Sequence, residues 1–249
     1  MRPLRDVVLT RDGGWAVGGD PVGGSVIMHS EDGITWRPQE SGETSGLNAV
    51  DSADGTYAIA VGNDGVALFT DDMGYTWMEG SSRTTVPLSD VRCLSTLEAW
   101  AAGGAYAKST VLIHTLDGGL TWRPVPTGAS VGLDGLDFVD AQTGWVVGWE
   151  GAILHSADGG LTWEKQASGV RGQLTSVDFV DALRGWAVGS AGTILHTEDG
   201  GATWTPQASG TDVTLEEVRF TSANEGLIAG ENGVLLATVD GGRTWTPQA

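Results

Sequence analysis

The stretch Gly185-Trp186-Ala187-Val188-Gly189-Ser190-Ala191-Gly192-Thr193-Ile194-Leu195-His196-Thr197-Glu198-Asp199-Gly200-Gly201-Ala202-Thr203-Trp204-Thr205-Pro206-Gln207 decides the fold. Three short runs, Trp186 to Gly189, Thr193 to Thr197 and Thr203 to Gln207, are separated by Gly-containing turns, the punctuation of β-strands. Just upstream, the stretch around Leu174 to Val180 alternates with Val177 and Phe179 apolar, as a strand with one packed face does. The four-strand unit recurs along the chain. Its closing Thr-Trp returns at Trp36, Trp77, Trp122, Trp163, Trp204 and Trp245, with successive spacings of 41, 45, 41, 41 and 41 residues. Four strands in about forty residues, repeated in phase, are the signature of a propeller blade. The sequence therefore predicts an all-β protein: a six-bladed β-propeller with four antiparallel strands per blade. It reads as a single domain over 1–249, with blades near 4–44, 45–86, 87–130, 131–171, 172–212 and 213–249.

The turn between strands three and four has the form Ser/Thr-x-Asp-x-Gly-x-Thr-Trp, an Asp-box. It pairs Asp72 with Trp77, Asp117 with Trp122, Asp158 with Trp163, Asp199 with Trp204 and Asp240 with Trp245, while the first copy, Asp32 with Trp36, is one residue shorter. A short carboxylate can accept bonds from turn amides, and Gly permits positive φ. The Trp offers large apolar burial between neighbouring sheets. A second column, Trp15, Trp100, Trp145 and Trp186, lies on strand two, with Ile59 and Leu227 as replacements. Pro38, Pro124, Pro206 and Pro247 follow the strand-four Trp by two residues and remove a donor from an exposed edge. Every blade is complete within its own repeat, so closure is expected to rest on face-to-face packing of blades one and six, a predicted weak point.

The 32 acids against 13 bases give a formal charge of −19. That disfavours nucleic acid, whose binding rests on neutralising phosphates, and anionic membrane surfaces, and it favours basic partners. No apolar run approaches the roughly 18 residues of a membrane helix, and no signal peptide is read at the start. Cys93, the single cysteine, allows neither an intrachain disulfide nor a Cys-based metal cluster and is expected to be a small buried hydrophobe. His29, His114, His155 and His196 share one repeat position just before the Asp-box, so they point apart on different blades and predict no metal site. No cofactor is expected. The Asp-box carboxylates repeat in every blade, which assigns them to turn structure.

The run from Gly185 to Trp204 resembles the photosystem II stability/assembly factor family, and the resemblance extends over all six repeats. It implies a lumenal or periplasmic, hence extracytoplasmic, propeller that holds assembly intermediates, with a protein or peptide as partner. Family members typically have seven blades and a basic patch of arginines. Here there are six repeats and the arginines are scattered, so no binding residue is carried over. Asp-boxes also occur in sialidases and other glycosidases. The usual Arg-Ile-Pro near the start is missing, and Tyr57, Tyr75 and Tyr106 are the only tyrosines. A glycosidase needs only two well-spaced carboxylates, so carbohydrate binding or hydrolysis stays open as an alternative. The close similarity of repeats four and five leaves a ligand-free engineered repeat protein open as another.

Departures from the repeat point to a binding face. Repeats one and three carry insertions between strands two and three, Gly19 to Gly24 and Gly104 to Ser109. Trp149, the one tryptophan outside both columns, occupies the same loop of repeat four beside Glu150. Loops on a rigid scaffold commonly hold binding groups, and an off-pattern aromatic fits hot-spot chemistry. The candidate binding residues are Asp20, Asp64, Tyr106, Lys108, Trp149, Glu150 and Glu231, with Asn63 and Asn232 in equivalent loops. The expected protein is a non-catalytic scaffold for a protein or basic peptide, with a monomer the simplest oligomeric state.

Overall fold

The structure is a computed structural model that describes residues 3–11, 13–20, 24–105 and 109–248. The chain is an all-β, six-bladed propeller whose blades are four-stranded antiparallel sheets in sequential order. Blade 1 comprises β1 (Leu4–Thr10), β2 (Gly13–Asp20), β3 (Gly24–Ser30) and β4 (Arg37–Gln39), and blade 2 β5 (Leu47–Ser52), β6 (Ala58–Gly62), β7 (Ala67–Thr70) and β8 (Met78–Glu79). Blade 3 has β9 (Leu88–Cys93), β10 (Ala99–Ala105), β11 (Ser109–Thr115) and β12 (Arg123–Pro124). Blade 4 has β13 (Leu133–Phe138), β14 (Gly144–Gly148), β15 (Ile153–Ser156) and β16 (Glu164–Gln166). Blade 5 has β17 (Leu174–Phe179), β18 (Gly185–Gly189), β19 (Thr193–Thr197) and β20 (Thr205–Gln207), and blade 6 β21 (Leu215–Phe220), β22 (Gly226–Gly230), β23 (Leu235–Thr238) and β24 (Thr246–Pro247). Blades 1–3 and blades 4–6 form two compact units.

Within the second unit, the junction of blades 5 and 6 shows how the repeat builds a core. Trp186, Val188 and Ile194 on one face of blade 5 pack on Leu215, Val218, Ile228 and Leu236 of blade 6. Trp186 stacks on Phe220 at 3.5 Å between ring centroids, and Trp245 meets the same Phe edge-on at 5.8 Å. The junction of blades 4 and 5 repeats this with Trp145 on Phe179 at 3.5 Å and Trp204 edge-on at 5.8 Å. Such pairs add to the area burial of each ring. Polar bonds repeat as well. The Asp137 carboxylate accepts from the Phe179 amide and Asp178 from the Phe220 amide, both at 2.8 Å.

The first unit uses smaller residues at the same positions. Ile59 replaces Trp and Cys93 replaces Phe, yet Ile59, Val61, Leu88, Val91, Ile113 and Trp122 still form one buried cluster between blades 2 and 3. Cys93 packs against that cluster, and its amide donates to Asp51 at 2.7 Å. Burial raises its thiol pKa well above the usual value.

In every blade the first strand carries a β-bulge one residue after its opening Leu. The register slips between Leu174 and Ser176, and equivalently at Leu4, Leu47, Leu88, Leu133 and Leu215. The bulged residues are Arg5, Asn48, Ser89, Asp134, Thr175 and Glu216. A bulge re-aims one side chain out of the ladder, which is why this column can be polar in an otherwise apolar strand. The strand beside it must be glycine: a Cβ on Gly189 would lie 2.0 Å from the Gln173 carbonyl oxygen.

Candidate functional site

Antiparallel order puts the turns of a blade at two ends. The strand one-two turn and the Asp-box share one end; the strand two-three turn and the connection to the next blade share the other. At the Asp-box end the chemistry is the same in each blade. In blade 5 the Asp199 carboxylate accepts from the Thr203 amide (2.8 Å), the Thr203 hydroxyl (2.7 Å) and the Thr197 hydroxyl (2.8 Å). Asp72, Asp117, Asp158 and Asp240 repeat that set, and the shorter turn of Asp32 takes the Ile34 and Thr35 amides instead. These bonds hold the carboxyls below their ordinary range. Each carboxylate is thus engaged in holding its own turn.

A glutamine that the sequence reading passed over completes the turn. Gln166 accepts from Trp204 Nε1 at 3.2 Å and donates to the Gly200 carbonyl at 2.8 Å, and Gln207 does the same for Trp245 and Gly241 of blade 6. Gln39 serves Trp77 and Met73 in the first unit. The signal was the run Trp-x-x-Gln at Trp36, Trp163, Trp204 and Trp245. The histidine column also has its reason. His29, His114, His155 and His196 lie against Trp15, Trp100, Trp145 and Trp186 of their own blades, 4.0 to 4.9 Å between centroids. Burial lowers their pKa values, and among the described residues no three ligating side chains gather around a metal position.

The opposite end varies. In blades 2, 4, 5 and 6 the strand two-three turn is a single 3-10 turn: Asn63–Gly65, Trp149–Gly151, Ser190–Gly192 and Glu231–Gly233. Its middle residue is left-handed, with φ of 57° at Asp64, 59° at Glu150, 55° at Ala191 and 57° at Asn232. Asp and Asn tolerate that region; a Glu or Ala there stores about 1 kcal/mol or more of strain, a feature concentrated at working sites. Trp149 is half-buried, its amide bound to the Gly132 carbonyl at 3.0 Å, and Glu150 is exposed. Asp64 accepts from the Ser45 hydroxyl at 2.9 Å and borders a groove of about 720 Å³ that also includes Glu40 and Glu43.

The bulged column ends beside these turns and brings in acids that the sequence reading missed. In blades 4 to 6 it reads Asp134, Thr175, Glu216. Asp134 accepts from Gln173 Nε2 at 3.1 Å; burial pushes its pKa up to about 6, and the Glu216 charge adds to the shift. Glu216 is itself raised, by desolvation and then by Glu231. The Glu216 carboxyl of blade 6 thus acts on Asp134 of blade 4 and is itself acted on by Glu231. Of the sequence-selected residues, Trp149, Glu150 and Glu231 share this end of the second unit and Asp64 lies at the same end of the first. Tyr106 and Lys108 lie outside the described residues, as does the Asp20 side chain, although the Asp20 backbone pairs with Gly24.

Among the described residues no helix is long and apolar enough to cross a membrane. A family model described as "Photosynthesis system II assembly factor YCF48" matches residues 127–208 and 168–249. No curated protein sequence matches the chain. Among solved structures, "YCF48 bound to D1 peptide" is 20% identical with a TM-score of 0.76, covering 100% of this chain and 81% of that one. YCF48 from Cyanidioschyzon merolae is 18% identical with a TM-score of 0.76, over 99% of this chain and 85% of that one. The GH74 enzyme of Niastella koreensis is 19% identical with a TM-score of 0.78, over 98% of this chain and 45% of that one. At these identities the likeness is one of fold.

Proposed function

We propose that this chain, a propeller of the photosystem II assembly factor-like family, is a non-catalytic scaffold that holds an extended, positively charged peptide segment of another protein at its strand two-three turn end. The observation that carries the reading is the gathering of Trp149, Glu150, Asp134, Glu216 and Glu231 at that end of blades 4 and 6, where blade 5 has Ser190, Ala191 and Thr175 at the corresponding positions. A cationic partner supplies the counter-charge that burial withholds from Asp134, and Trp149 supplies an aromatic anchor. The YCF48 structure with a D1 peptide is a precedent for a peptide on this fold. An acidic surface departs from an arginine-based contact and selects the opposite charge of ligand; it argues equally against nucleic acid. An extracytoplasmic location goes with the family likeness.

An array of short peptides graded from lysine-rich through neutral to glutamate-rich tests the reading at low and moderate salt. Retention of the lysine-rich members, weakened by salt and by Trp149→Ala, is the expected result. Retention without charge preference, or binding to a glycan array in place of peptides, overturns it.

A further inference from the structure

The chain has four asparagines. Ala49, Asp64 and Glu225 follow Asn48, Asn63 and Asn224, whereas Gly233 follows Asn232. That pair forms the tip of the strand two-three turn of blade 6. Asn232 and Gly233 have φ of 57° and 76°, and the Val234 amide closes the turn on the Glu231 carbonyl at 3.2 Å. Two consecutive positive φ angles are those of a type I′ turn, for which Asn-Gly is a preferred sequence. Glu231, Asn232 and Gly233 are all exposed. The middle residue of this turn is exposed in the other blades that have it, as Asp64, Glu150 and Ala191, so the turn itself presents the residue to water.

An asparagine side-chain amide is an electrophile that the next residue's peptide nitrogen can reach, closing a five-membered ring. A side chain on that next residue crowds the nitrogen, and Gly233 has none. Closure requires the peptide between Asn232 and Gly233 to turn over. Type I′ and type II′ turns differ by that rotation. The first central residue keeps its positive φ in both, and glycine at the second accepts either sign. The turn can therefore reach the ring conformation while the strands on either side, β22 and β23, stay paired.

We propose that Asn232 is a site of spontaneous deamidation, which gives blade 6 the acid that blades 2 and 4 already carry at this position. The Gly233 nitrogen loses its proton to solvent base and bonds to Asn232 Cγ. The Cγ–Nδ2 bond breaks, and the nitrogen leaves as ammonia. Water then opens the cyclic imide, at Cγ to give aspartate or at the main-chain carbonyl carbon to give isoaspartate. In either case the amide and water become a carboxylate and ammonium, with no oxidant, metal or enzyme. The aspartate fits the turn, because Asp64 holds the same φ of 57° in blade 2. It stands beside Glu231, whose charge already acts on Glu216. One further negative charge there strengthens the attraction for a cationic segment, as any charge-changing modification does. That consequence rests on the peptide-binding reading above; the modification does not.

Storage of the full chain in mildly alkaline buffer, followed by tryptic mapping with mass spectrometry, tests the inference. Cleavage after Arg219 and Arg243 leaves Asn224 and Asn232 in one peptide, so Asn224 is an internal reference. The expected result is conversion at Asn232, faster as pH rises, with Asn224 intact and with no conversion in Asn232→Gln, whose longer side chain cannot close the five-membered ring. An Asn232 that survives while a synthetic peptide spanning Gly230 to Leu235 converts overturns the inference, as does equal conversion at Asn224. Asn232→Asp is expected to melt as the wild type does and to bind a lysine-rich peptide about twofold more tightly. Equal affinity overturns the link to the peptide site. A wild type with no affinity for such peptides removes the peptide-binding reading and leaves the deamidation, which the mass reads by itself.

Discussion

The two ends of a blade have been built under different rules. At the Asp-box end, Asp72, Asp117, Asp158, Asp199 and Asp240 make the same bonds to the same partners. At the strand two-three end, one structural position holds Asp64, Glu150, Ala191 and Asn232, and the bulged column runs Asn48, Asp134, Thr175 and Glu216. In blades 2, 4, 5 and 6 the backbone is equally regular at both ends, and only the side chains differ. Repetition at a fixed position marks residues that the fold needs in every blade, and departure at an equally fixed position marks residues whose identity the fold does not require. Even the Asp-box end has free positions, since Ile34, Tyr75 and Leu161 expose 84%, 77% and 82% of their surface one residue before the Thr-Trp pair. That makes it a matched control for the other end.

Breaking the repeated end should give the largest effect. Trp186→Ala removes a fully buried ring from between two blades and is expected to cost about 3–5 kcal/mol in denaturant unfolding. A loss below about 1 kcal/mol would mean that the inter-blade stack is not what holds the second unit together. At the variable end, Trp149→Ala is expected to weaken binding of a lysine-rich peptide at least about tenfold while changing stability by no more than about 0.5 kcal/mol. Gln207→Ala, which unclasps one Asp-box turn, should cost about 1 kcal/mol and leave peptide affinity alone.

The smallest and most specific effect is on pH dependence. The folded chain holds the Asp134 proton up to about 6, whereas an unfolded carboxyl loses it near the ordinary value of 3.8. The folded state therefore binds more protons across that window, and the stability contributed by this group falls as pH rises through it. Peptide affinity should move the other way, rising as Asp134 ionises. Asp134→Asn is expected to flatten both trends, read by melting temperature and by titration on either side of about pH 6. A stability contribution from Asp134 that instead grew with pH would place the carboxyl in a solvated, paired state.

The fold was legible because its signals repeat. Six Thr-Trp closures and the Gly-Trp-Ala-Val-Gly run located the blades, and the strands at 174–179, 185–189 and 193–197 lie where alternation and glycine put them. The site was legible only where a residue broke a column of its own kind, as Trp149 did. Asp134 and Glu216 were hidden because the column they belong to is created by a bulge. Strict alternation in strand one puts them in phase with the packed residues Leu136 and Phe138, or Val218 and Phe220, and nothing in a linear pattern shows that the register slips there. Gln39, Gln166 and Gln207 were hidden for another reason: their partners lie in the following repeat, and a comparison made column by column does not display bonds that cross from one blade to the next.

Calorimetric titration of one lysine-rich peptide into wild type, Trp149→Ala and Leu161→Ser tests the central claim most directly. The account predicts that wild type and Leu161→Ser bind alike and that Trp149→Ala binds at least about tenfold more weakly. Loss of binding in Leu161→Ser with full affinity in Trp149→Ala would contradict it and move recognition to the Asp-box end.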